Sequence, residues 1–245
     1  MTSAAMQGAA MQGTAMQGAP KQGTDKQGTA IAVFVKTPGL SPVKTRLAAT
    51  IGSAAAEGFY RLSCRAIEQT LQHLTQTVAV TPFWAVGEID GLDHPLWQGF
   101  ESLHTGEGDL GERQHHIYQT LLAKYQRVIL IGADSPQLNA RHLTNAIAAL
   151  EKHSFAQGPA VDGGYYLLAG RAPIRKEIWT GVTYSSADTA QQLLARLPST
   201  AAILDCITDV DTVADLEVLK SEMMAEPATT KTQKDVINYI VKEII

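Results

Sequence analysis

Apolar positions along this chain follow two periods. Runs such as Ile31-Ala32-Val33-Phe34-Val35 and Val128-Ile129-Leu130-Ile131 carry no polar interruption. Such runs read as strands buried on both faces, the habit of a parallel sheet. Between them the spacing turns helical. A long helical pattern covers residues 43–74 and breaks near Ile51-Gly52. Residues 111–125 turn Ile117, Leu121 and Leu122 toward a core. Residues 139–152 place Leu143, Ile147 and Leu150 on one face. A second strand is expected at 77–86, where Pro82 argues for an edge or a bulge. Residues 90–111 read mostly as loop, with a short strand near 100–103. A glycine-rich strand–loop–strand follows at 155–168, then a helix at 186–197 and a strand at 201–204. Thr212 and Asp215 form the capping-box pattern of a helix running through Met223. From Thr232 onward, Val236, Ile237, Ile240, Val241 and Ile244 share one face of an amphipathic helix, expected to pack on the chain's own core. Strands alternating with helices predict an α/β domain: a mostly parallel central sheet, right-handed crossovers and helices on both faces.

The first thirty residues break this pattern. From Met6 to Ala30 the chain repeats MQGAA, MQGTA, MQGAP, KQGTD and KQGTA. Such a segment cannot bury enough apolar surface to offset the entropy of ordering, so residues 1–30 are expected to form a disordered tail. It lacks the apolar stretch of a signal peptide. Residues 31–245 then fit one domain of ordinary size.

The formal net charge is −4. No basic stripe or polybasic patch is visible, so neither nucleic acid nor a membrane surface is an expected partner. No run approaches the roughly 18 apolar residues that span a bilayer. Cys64 and Cys206 are too few for a disulfide framework or a zinc site. Both are expected as small core hydrophobes in a reducing cytoplasm. The oligomeric state stays open, a dimer included.

Five segments could carry chemistry. Gly132-Ala133-Asp134-Ser135-Pro136 follows the most hydrophobic strand. Functional residues of parallel sheets sit at such carboxyl ends. Asp134 would suit Mg²⁺ or Mn²⁺ carrying phosphate oxygens, and Gly132 would let a ligand approach the backbone. The plain alternative is that Asp134 or Ser135 caps the next helix. In Lys36-Thr37-Pro38-Gly39-Leu40-Ser41-Pro42-Val43-Lys44-Thr45-Arg46, Lys44 and Arg46 fall at a helix start. The helix dipole disfavours cations there unless an anion binds, which points to a phosphate held by Lys36, Lys44 and Arg46 beside Pro38 and Gly39. The alternative is three solvated cations. The spacing is not that of a P-loop.

The third segment, Gly158 to Gly170, sets Asp162 before Gly163 and Gly164. It suits close approach to a ligand or a plain hairpin turn. In the fourth, Asp209 to Leu216, the capping box accounts for Thr212 and Asp215 and leaves Asp211 to reach a metal at Asp134. In the fifth, Gly106 to Arg113, Asp109 either shapes a nucleotide pocket or caps a helix. His115 and His116 are adjacent on that helix and cannot share a face, which argues against a metal role.

Taken in order, FVKTPGLSPVKTRLA, GDLGER, GADSP, GPAVDGGYYLLAG and DVDTVADL resemble a bacterial family of GT-A-type transferases. That family is known as radical-SAM/selenodomain-associated transferases, or as glycosyltransferases of unassigned function. It is distantly similar to nucleotidyltransferases such as the molybdenum-cofactor guanylyltransferase. The resemblance covers residues 31 to about 222. It implies a nucleotide-diphospho-sugar transferase (GT-A, Rossmann-like) fold and a nucleotide or nucleotide-sugar donor with a small-molecule acceptor. It implies phosphate binding at Lys36, Lys44 and Arg46, and Mg²⁺ or Mn²⁺ at Asp134 and Asp211. Asp162 and Lys44 are the expected catalytic residues; Pro38, Gly39, Asp109, Gly132, Gly163 and Gly164 are expected along the nucleotide. Sugar transfer is the leading reaction, nucleotidyl transfer with release of pyrophosphate the alternative, and a non-catalytic nucleotide-binding role a third. The chain departs from the family pattern at Tyr184, where a tryptophan is expected, and at Val213, where a proline is expected. GADSP also supplies one carboxylate instead of an Asp-x-Asp pair.

Overall fold

The computed structural model describes Met1, residues 26–225 and residues 230–244. Residues 2–25, and with them most of the expected tail, lie outside the described residues. Strand β1 spans Gln27–Val35, four residues longer at its start than the apolar run. Its added residues earn their place by pairing. Thr29 stands between Val80 and Arg127 of its two neighbours, and Thr29 and Ala30 are buried. Lys26 also donates from Nζ to the Leu122 carbonyl at 2.7 Å. A chain starting at residue 26 is therefore expected to melt at nearly the full-length temperature. One starting at residue 31 is expected to lose about 2–4 kcal/mol through lost ladder bonds and burial. Thermal and denaturant unfolding of the two truncations checks this.

Among the described residues the sheet has seven strands in the order β3-β2-β1-β4-β6-β5-β7. The others are β2 (Val80–Val86), β3 (Glu101–His104), β4 (Tyr125–Gly132), β5 (Phe155–Pro159), β6 (Tyr165–Gly170) and β7 (Ala201–Ile203). Only β6 runs against its neighbours, pairing antiparallel with β4 and β5. Side chains alternate between faces as the period of two requires. Ile31, Val33, Val35, Ile129 and Ile131 face α2 (Ser53–Thr75) and α4 (Ala140–Lys152). Ala30, Ala32, Val128 and Leu130 face α3 (Leu110–Leu122), α5 (Lys176–Thr180) and α6 (Thr189–Arg196). A third apolar cluster lies outside α2. There α1 (Thr45–Ile51), α7 (Val213–Ala225) and α8 (Lys231–Tyr239) meet through Leu47, Phe59, Leu216, Leu219, Val236 and Ile240. The C-terminal amphipathic helix thus packs on its own core, and Val241 alone of its five apolar positions is prominently exposed.

The long helical pattern breaks where expected: Gly52, at φ +84°, separates α1 from α2. Other local expectations change. β2 is not an edge strand, yet β3 pairs with it only from Phe83 onward. At Pro82 one side of the strand is therefore unpaired, where a missing N–H costs least. The helix α5 had no clear sequence signal because it is five residues long. Cys64 is buried as expected, whereas Cys206 is exposed in the loop after β7. No helix among the described residues is long and apolar enough to cross a membrane.

Because β1, β2, β3, β4, β5 and β7 are parallel, their carboxyl ends share one edge. The loops at residues 36–44, 133–139, 160–164 and 204–212 all leave from that edge.

Candidate active site

The loop after β4 is held as a platform. Ser63 on α2 donates to the Ala133 carbonyl, and Ser135 Oγ donates to Thr208 O at 3.1 Å. Val210 N–H donates to Asp134 O at 3.2 Å, and Gln137 Nε2 bonds both Thr208 O and Glu222. The loop after β4 is thereby stitched to the loop after β7, and Asp134 is carried beside Asp209 and Asp211. Neither Asp134 nor Ser135 caps the next helix. Asn139 does so, accepting from Arg141 N–H at 3.0 Å and His142 N–H at 3.3 Å. The plain reading of Asp134 therefore falls.

Lys44 closes the cluster from the third loop. Its side chain is 3% exposed, and Nζ lies 2.6 Å from Asp134 Oδ1 and 3.7 Å from Asp211 Oδ1. Nζ also donates to the Val210 carbonyl. Those two ion-pair distances put the Asp134 and Asp211 carboxylates closer together than the ~8 Å that two ligands of one hydrated cation can span. Lys44 sits at φ +48°, ψ +46°, as N-cap of α1. A left-handed backbone at a side-chain-bearing residue costs roughly 1–2 kcal/mol, and the ion pairs offset it. Burial alone would lower the Lys44 pKa; the Asp134, Asp209 and Asp211 charges outweigh it and hold the ammonium above its ordinary value. Arg46 is exposed and pairs with Asp211 Oδ2 at 3.1 Å. The adverse encounter of two cations with a helix start is thus relieved by carboxylates, and α1 is only seven residues long.

Asp209 is the residue that sequence reasoning passed over. Burial, then the nearby Asp134, pushes its carboxyl up to about 7, against the opposing pull of Lys44. Its Oδ1 is buried with no hydrogen-bond partner among the described residues. The signal was present as Asp209-Val210-Asp211, an Asp-x-Asp pair in the loop after β7 where it was sought after β4. Among the described residues no group of three or more His, Cys, Asp or Glu side chains is placed to hold a metal ion. The donor chemistry nevertheless fits a hard divalent cation: carboxylate oxygens from two loops, with one buried oxygen left unpaired.

The remaining expected residues fall into two groups. Asp162 is exposed at the same edge and close enough to raise Asp209. Its Oδ1 accepts from Gly164 N–H at 2.9 Å. Gly163 has φ +89°, and a Cβ there would meet Ala187 O at 1.9 Å. Gly132 is open, with Asp134 N at 4.0 Å the nearest atom to a built Cβ. Lys36 is exposed at the end of β1, where Tyr60 OH bonds its N–H and its carbonyl at 2.8 and 2.9 Å. Pro38 is buried and Gly39 exposed at φ +90°. Asp109, in the loop after β3, caps α3, accepting from Glu112 N–H at 2.9 Å, and Glu112 pairs with Lys176 at 2.7 Å. Arg113 of the same motif ties Gly87 O, Thr105 Oγ1 and Gly108 O together. Tyr184 packs against Gly111 and donates to Trp179 O at 3.2 Å.

Residues 66–186 match a sequence profile described as an uncharacterized protein conserved in bacteria (DUF2064). No protein in a curated collection matches the chain in sequence. Among solved structures, one from Desulfovibrio desulfuricans G20, a candidate nucleotide-diphospho-sugar transferase, is 28% identical with a TM-score of 0.76. The similarity covers 87% of this chain and 95% of that one. The 4-diphosphocytidyl-2C-methyl-D-erythritol synthase of Anaerococcus prevotii DSM 20548 is 11% identical with a TM-score of 0.51, over 81% and 96% of the two chains. The bifunctional IspDF of Campylobacter jejuni is 9% identical with a TM-score of 0.53, over 78% of this chain and 53% of that one. The fold is that of the nucleotide-diphospho-sugar transferases.

Proposed function

We propose that the protein is a metal-dependent transferase using a nucleotide-activated donor, and that the donor is a nucleoside-diphosphate sugar. The observation that carries this reading is the meeting of Asp134, Asp209 and Asp211 with Lys44 and Arg46 at the carboxyl edge of the sheet. Ligands of open α/β sheets bind at that edge. The 28% identical structure adds weight to a nucleotide-sugar donor.

Asp134 and Asp211 would hold Mg²⁺ or Mn²⁺, which when bound supplies positive charge to the donor diphosphate. Arg46, exposed and paired with Asp211, and Lys36, exposed at the end of β1, would receive the remaining phosphate oxygens. The glycosyl C–O bond to the departing diphosphate breaks as the acceptor oxygen bonds to the sugar carbon. Asp162, on the turn facing Asp209, is the carboxylate proposed to take the acceptor proton. Gly163 and Gly164 hold that turn against α6, through Gly163 O accepting from Ala190 N–H at 3.0 Å.

Thermal shift against nucleoside-diphosphate sugars and nucleoside triphosphates, each with and without Mn²⁺, tests the reading. A melting-point rise that needs both nucleotide and Mn²⁺ is expected. No response to any nucleotide overturns it. In turnover with an acceptor, release of a nucleoside diphosphate marks sugar transfer and release of pyrophosphate marks nucleotidyl transfer. Arg46→Ala is expected to weaken nucleotide binding about tenfold or more, as loss of a charge-assisted hydrogen bond does. The melting temperature should stay within about 1 °C, because an exposed ion pair contributes little. Unchanged affinity in a titration would remove Arg46 from the phosphate site.

A further inference from the structure

Lys44 occupies the ground that a metal between Asp134 and Asp211 would need. Its ammonium uses Oδ1 of both carboxylates. A divalent cation binds such oxygens at roughly 2.0–2.6 Å. Two cations cannot share those atoms at those distances without direct repulsion. The ammonium also has little room to retreat into solvent on its own, since the side chain is 3% exposed and Nζ is anchored to the Val210 carbonyl.

We propose that Lys44 is the resident cation of this site, and that a divalent cation enters by displacing its ammonium from Asp134 and Asp211. This rests on the metal-dependent reading above. The displaced ammonium is buried, and a buried charge without a counter-ion is costly. It therefore requires an anion, and a diphosphate supplies one. Metal and diphosphate then bind with positive coupling, each weak without the other. The nearby Asp209, with its unpaired buried oxygen, keeps the pocket attractive to whichever cation is present. In this reading Lys44 has two positions: against the carboxylates before the donor arrives, and against the donor phosphates afterwards. That also accounts for a lysine at the entrance of a short helix whose backbone would favour glycine or asparagine.

The test uses the full chain and needs no nucleotide. Mn²⁺ binding is measured by electron paramagnetic resonance and calorimetry on wild type, Lys44→Met and Lys44→Arg. Lys44→Met, similar in length and uncharged, is expected to bind Mn²⁺ at least tenfold more tightly than wild type, while Lys44→Arg stays weak. Equal or weaker binding by a folded Lys44→Met overturns the proposal. Should either variant fail to fold, the wild type reads the exchange directly through the ¹⁵Nζ signal of its lysines. The paired Lys44 ammonium is expected to give a signal protected from water exchange, to lose it on Mg²⁺ addition, and to regain it at a shifted position when inorganic pyrophosphate follows. A signal that persists at saturating Mg²⁺ overturns exchange. Pyrophosphate without effect overturns the diphosphate half alone. Failure of every nucleotide to bind would end the proposed function, whereas the Mn²⁺ comparison would still decide the exchange.

Discussion

Asp134→Asn is expected to abolish metal-dependent nucleotide binding while the domain stays folded. The substitution keeps the shape of the side chain and removes the charge closest to Lys44, at 2.6 Å. Removing one partner of a fully buried ion pair costs about 3–5 kcal/mol. Here the Asp134 side chain is 42% exposed and water can reach it, so about 1–3 kcal/mol is the expected loss. Lys44 keeps Asp211, the Val210 carbonyl and the field of Asp209. Asp211→Asn should act in the same direction with smaller effect, because its carboxylate is the more distant partner, at 3.7 Å. Nucleotide titration with and without Mn²⁺, beside guanidinium unfolding, measures both terms. An Asp134→Asn protein that still binds nucleotide with undiminished Mn²⁺ dependence would remove Asp134 from the metal site.

Gly163→Ala is expected to cause the largest loss among single-atom changes at the site edge. The residue has φ +89°, where an alanine is strained, and the new methyl would overlap Ala187 O at 1.9 Å. Strain of about 1–3 kcal/mol and overpacking of similar size give an expected cost of about 2–5 kcal/mol. Relief can come only by shifting the turn, since the opposing atom is backbone. That turn is fixed on one side by Ala190 N–H donating to Gly163 O and on the other by Val161 N–H donating to Ile207 O. Asp162 would move with it, so turnover should fall by more than donor affinity. Comparing kcat with KM for the variant, alongside its melting temperature, separates the two. A variant with wild-type stability and kcat would show that the turn has room the geometry denies it.

Much of this architecture could be read from residue order. The uninterrupted runs at 31–35 and 128–131 became central, doubly covered strands because no polar side chain in them needed water. The break at Gly52 and the cap at Asp109 were local matters, decided within a few residues. The start of β1 was not legible. Gln27, Gly28 and Thr29 resemble the repeat before them, and only the β2 and β4 backbones on either side make them a strand. Cys206 was misjudged for the same reason: a small apolar residue is buried or exposed by what packs over it, and among the described residues Cys206 stays exposed in the loop after β7.

The sequence by itself determined the layers of this protein, the edge at which its loops gather and the identity of Lys44, Arg46, Asp134 and Asp211 as unusual side chains. Periodicity and local backbone preference act over a few residues, and those features lie within that range. What only the tertiary structure decided is how the charges pair. Taken alone, the segment of the first helix shows cations against a helix dipole and points to a phosphate; it does not show that Lys44 and Arg46 also pair with carboxylates. Folding brings Val210 and its flanking aspartates next to Lys44 across 166 residues of chain. The buried ammonium then meets carboxylates at contact distance, where Coulomb attraction outweighs a helix-end partial charge. Asp209 entered the site on the same terms, since its buried, unpaired oxygen exists only once the loops after β1, β4 and β7 are packed together.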